Sequence, residues 1–66
     1  MNYLLKALIY KLEGEIEVAR ANIMVYEKNP AGIGEHPDIV EAIETQVEKI
    51  AQADEKIATI EKYFSI

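Results

Sequence analysis

Cysteine is absent from this 66-residue chain, and histidine occurs once. The missing cysteines remove disulfides and thiolate metal sites. A lone histidine leaves no ligand set for a zinc cage, so neither a structural nor a catalytic metal is expected. Tryptophan is also missing, glycine occurs three times and proline twice. Both prolines, Pro30 and Pro37, and two of the glycines, Gly32 and Gly34, fall in one short stretch. Elsewhere the only helix-weakening residue of this kind is Gly14. Long apolar runs are lacking too. The apolar start, Tyr3 to Tyr10, is broken by Lys6 and followed by Lys11 and Glu13. It is too short to span a bilayer, and no small-residue cleavage site follows it. It reads as a core helix, because an interfacial membrane helix prefers a basic polar face and this one is mixed. Bases are the minority charge: seven Lys and Arg against twelve Asp and Glu, a net charge of −5 at pH 7. Nucleic-acid phosphate and anionic membranes repel such a surface, so neither is an expected partner. The same balance gives only thin support to acidic mimicry of DNA.

What is present suits a folded helical protein. Half the residues are hydrophobic and 29% are charged, which argues against disorder. From Met1 onward the chain reads as one complete small protein with a cytoplasmic location and a single domain over 1–66. Helix signals run from about residue 2 to 28, break over about 29 to 36, and resume from about 37 to 64. Asn29 precedes a proline and so should leave the α region, ending the first helix. Gly32 and Gly34 permit the positive φ that a reversal needs. The second helix has two possible starts. Pro37 can take the first helical position with His36 as N-cap, the slightly preferred reading. Alternatively Asp38 caps and Glu41 closes a capping box.

The two helices carry different patterns. In the second, Ile43, Ile50, Ile57 and Phe64 recur every seven residues. Ile39, Gln46, Ala53 and Ile60 fill the other core position, with Val40 and Val47 widening the stripe. Glu41, Glu48, Glu55 and Lys62 occupy the far side, so this is one seam with a solvated back. The first helix has two apolar stripes. Leu5, Leu8, Leu12, Ile16, Ala19, Ile23 and Tyr26 form one. Tyr3, Ala7, Tyr10, Gly14, Val18, Ala21 and Val25 form another on roughly the opposite side. One stripe meets the second helix, and the other asks for a further partner. The expected architecture is all-α: an antiparallel two-helix hairpin assembling as a homo-oligomeric bundle of four or more helices. Ala7, Gly14 and Ala21 are small enough to let two first helices approach closely across a two-fold axis.

Chemistry-bearing motifs are scarce. Asp54 and Glu61 border the apolar arc of the second helix, as Glu15 and Asn22 border that of the first. Level with Leu12 and Leu5 in a hairpin centred near Ile33, Asp54 and Glu61 should pair with Lys11 and Lys6 and help set register. Gln46, at a core position, should do the same. The tyrosines at 3, 10, 26 and 63 read as boundary residues, ring covered and hydroxyl wet. His36 reads as a cap, since no nucleophile or second base accompanies it. Gly32-Ile33-Gly34 lacks the Lys-Ser/Thr and preceding strand of a phosphate loop. Ile33 between two glycines, with Glu35 and His36 beside it, is a candidate loop contact, either a plug over Tyr26 and Val40 or an exposed anchor. No cofactor is expected.

The stretch from Val25 through Lys28-Asn29-Pro30-Ala31-Gly32-Ile33-Gly34-Glu35-His36-Pro37 to Ile39 resembles small uncharacterised helical proteins of tailed phages infecting marine cyanobacteria. The likeness extends into Ala53-Asp54-Glu55-Lys56 and Lys62-Tyr63-Phe64. It implies a phage-encoded protein acting in a bacterial cytoplasm and supplies no activity or functional residues. The expected function is that of a non-enzymatic, self-associating protein–protein interaction module, whose further partner is a host or viral protein. The alternative is a structural or assembly component of a virion.

Overall fold

The computed structural model describes residues 2–29 and 38–64. They form two α-helices of 26 residues each, α1 over Tyr3–Lys28 and α2 over Ile39–Phe64. The candidate loop contact Ile33, Glu35 and His36, and the Pro37 helix start, lie outside the described residues.

Each helix is started by a side chain that satisfies an otherwise orphaned backbone donor. Asn2 Oδ1 accepts from the Leu5 N–H at 2.8 Å. Asp38 Oδ1 accepts from the Glu41 N–H at 3.1 Å, and the Asp38 carbonyl accepts from the Ala42 N–H at 3.2 Å. Among the described residues, then, α2 begins at Ile39 behind an Asp38 cap, the second of the two possible starts. Asn29 leaves helical geometry at φ −142° and ψ 73°, while its N–H still donates to the Val25 carbonyl at 2.8 Å. Lys28 and Lys62 occupy the last turns, where the helix dipole favours cations.

The helices pack antiparallel along one seam, giving a rod of 47 × 15 × 14 Å. Leu12, Ala53 and Ile60 are buried together, with Leu5, Ile9, Ile16 and Ile57 packed around them. Towards the loop the seam changes character. Ala19 is buried, and the buried Gln46 accepts a hydrogen bond on Oε1 from Asn22 Nδ2 at 3.1 Å. A polar pair here fixes which residues face each other, because any slip leaves both amides unpaired in a partly dry seam. Among the described residues no buried side-chain nitrogen or oxygen lacks a partner.

Three details depart from the sequence pattern. Leu8 is 40% exposed, and Ile9 packs on the core cluster. The two flank the Leu12–Ala19 line at nearly equal angles, so the pattern alone does not choose between them. Val40 and Val47 are exposed, so the α2 stripe is narrower than expected. Phe64 is exposed as well. In the register set by Asn22 and Gln46 it reaches only the first turn of α1, where little remains to cover it.

Candidate functional site

The outer face of α1 is the most unusual surface of the molecule. Tyr3, Ala7, Tyr10, Gly14, Val18, Ala21 and Val25 are all exposed. At 100° per residue they line the side of α1 turned away from Leu12 and Ala19, and hence from α2. Tyr3 is 82% exposed, Tyr10 67% and Val18 63%. These rings lack the cover expected of boundary tyrosines; Tyr26, beside the seam, is half-buried. Leu4 and Met24, exposed at the two margins of this face, enlarge it beyond the stripe read from the sequence. Their signal was present as apolar residues one step outside the stripe.

Gly14 sits at the middle of that face. A Cβ added there would meet nothing within 4 Å. Glycine inside a helix costs roughly 0.5–1 kcal/mol relative to alanine. No intrachain contact offsets that cost.

Two hollows indent the same face. One, of about 370 Å³, is lined by Ala21, Met24, Val25, Lys28 and Asn29. The other, of about 140 Å³, is lined by Tyr3, Lys6, Ala7 and Tyr10. In each, four residues at i, i+3, i+4 and i+7 frame the hollow, the arrangement that receives a side chain from a packed helix.

A second surface, which shares Gly14 and Val18 with this face, runs along one side of the seam. An open groove of about 700 Å³ has Ala19 and Ala53 in its floor and Lys11, Lys49 and Lys56 on its walls. Three of the seven basic residues thus gather there, with Glu15 as the lone acid. Lys11 Nζ donates to Glu15 Oε1 at 2.7 Å. That hydrogen bond holds the Glu15 carboxyl below its usual value; slight desolvation opposes it, and the Lys11 and Lys56 charges add to it. Because this pair is exposed, its contribution to stability is small.

The expected ion pairs of Asp54 and Glu61 do not form among the described residues. The ion pairs found there are Lys11–Glu15 and Arg20–Glu17, both within α1. The reason is angular. Asp54 projects from the flank of α2 opposite Lys49 and Lys56, whereas Lys11 shares the groove with those two lysines. Lys11 therefore pairs along its own helix. Lys62 lies over the Tyr63 ring, 5.2 Å from its centroid. Among the described residues no three His, Cys, Asp or Glu side chains gather as a metal site, and no helix is long and apolar enough to cross a membrane.

No family model, curated protein or solved structure matches this chain.

Proposed function

We propose that this chain is a non-enzymatic helical interaction module that works by associating with itself through the outer face of α1. One observation carries the reading: a helix that already gives one face to the seam presents a second apolar face that is exposed to solvent. A helix apolar on two sides is stable in water when both are covered. The small core points the same way. Two helices packed on one seam bury few side chains, and no cysteine is present to staple them. The resemblance of residues 25–39 to cyanophage proteins supports a setting in which the assembled bundle acts on a host protein in a bacterial cytoplasm.

Sedimentation as a function of concentration tests the proposal. An oligomer is expected at micromolar concentration. Val18→Glu should weaken association at least tenfold, about 1.4 kcal/mol, while leaving the helical circular dichroism in place. A folded monomer at every concentration, or a Val18→Glu chain as oligomeric as the parent, defeats the reading.

A further inference from the structure

We infer that the covering partner is a second copy of α1 laid antiparallel across the first, with Gly14 stacked on Gly14 at a two-fold axis. The inference rests on the self-association just proposed and adds its geometry.

The outer stripe of α1, all of it exposed, maps onto itself under reversal about Gly14. Reversal exchanges Tyr3 with Val25, Ala7 with Ala21 and Tyr10 with Val18, while Leu4 and Met24 stay on opposite flanks of the pair. Each of the exchanged side chains is exposed, and each finds an exposed apolar or small mate. Leu8, exposed outside the stripe, falls level with Arg20, whose stem is apolar. An isologous antiparallel contact requires this kind of self-match, because the same patch serves both copies.

The hollows fit the same arrangement. With Gly14 on the axis, Tyr3 of the second copy comes level with the larger hollow, framed by Ala21, Met24, Val25 and Lys28. Ala21 of the second copy comes level with the smaller hollow, framed by Tyr3, Lys6, Ala7 and Tyr10. A two-fold axis normal to the pair keeps each flank against its own copy. Tyr3, Ala21 and both hollows lie on the same flank of the stripe, so each side chain meets its hollow rather than passing beside it. The large side chain thus faces the hollow of about 370 Å³ and the small one that of about 140 Å³. Gly14 then has a use: small residues at 7, 14 and 21 let the helix axes close to roughly 8 Å, the near limit of helix packing.

The apolar area available is of the right order. Covered completely, the two tyrosines with Leu4, Val18, Met24 and Val25 would give up on the order of 800 Å² per copy at most, taking ~150–250 Å² for a tyrosine. A standard stable interface takes roughly 800 Å² from each partner. Charge does not drive the pairing, since Glu13 approaches its own copy on one flank; apolar contact does.

Directed cross-linking tests the geometry, and the absence of native cysteine makes introduced thiols unambiguous. Ala7→Cys and Ala21→Cys place thiols on exposed positions that leave the seam intact. Mixed together and oxidised, the two variants should form a covalent heterodimer at least tenfold faster than either alone forms a homodimer. In the inferred register the two Ala7 positions stand about 21 Å apart along the axis, far beyond disulfide reach. Rapid Ala7→Cys homodimers would overturn the antiparallel register in favour of a parallel one while leaving self-association standing. An oligomer that cross-links at neither position would place the interface off the outer face of α1, overturning both this geometry and the choice of face while leaving association itself standing. A monomer by sedimentation would overturn both readings together.

Discussion

α1 and α2 are equal in length and share one seam, yet their backs differ. The back of α2 carries a row of exposed carboxylates, Glu41, Glu48 and Glu55, with the exposed Val40 and Val47 beside them. The back of α1 carries Tyr3, Tyr10, Val18 and Val25, and a glycine that no intrachain neighbour demands. The hairpin seam sets the same requirement on both helices, so it cannot account for the difference. The self-association proposed above supplies a cause specific to α1. The contrast also locates that contact, because an interface through the back of α2 would bury a row of carboxylates without partners.

The comparison can be broken or sharpened by substitution. The largest effect is expected where the helices are equivalent. Leu12→Asp places an unpaired charge at the largest fully buried side chain of the seam, where Leu12 is 2% exposed. It should cost several kcal/mol and unfold both helices together in a thermal melt. A melt within 1 kcal/mol of the parent, by order of magnitude, would mean that the seam is not what holds the hairpin.

An intermediate effect is expected at the caps. Asp38→Ala removes the acceptor for the Glu41 N–H, and Asn2→Ala removes the acceptor for the Leu5 N–H. Each should cost about 1 kcal/mol. Comparable losses in denaturant titrations would show that the two helices differ in their backs and not in how they begin. A null result at Asp38 would instead favour a helix start upstream of it.

The smallest effect is expected at the back of α2. Glu48→Ala should shift stability by no more than about 0.5 kcal/mol and leave sedimentation unchanged. Set beside Val18→Glu, it is the matched control. If Glu48→Ala altered the oligomeric state, the two backs would not be functionally distinct, and the division between them would collapse.

Much of this was legible in the sequence. Two helices and one break followed from where Pro30, Pro37, Gly32 and Gly34 cluster, and the α2 seam followed from isoleucines every seven residues. The two-sided character of α1 was equally visible in its spacing. Finer choices were not. Leu8 and Ile9 lie on either side of the same line, and only packing tells which is covered. The Pro37 start, slightly preferred from sequence, competes with the Asp38 start, and the hydrogen bond from the Glu41 N–H to Asp38 identifies Asp38 as the cap. Asp54 sits at a position where a pair with Lys11 fits by level but not by angle around the helix. The hollows on α1 depend on how neighbouring side chains of different size stand beside one another, which residue spacing does not encode.

One consequence concerns hydrogen exchange. The rod is only 15 × 14 Å across, and among the described residues each helix packs on the other. Neither helix can open by itself without stripping the apolar cover from its mate. The amides of α1 around Leu12 and those of α2 around Ala53 should therefore exchange through a common opening with one free energy, as a single cooperative unit and not a hierarchy of stable and labile parts.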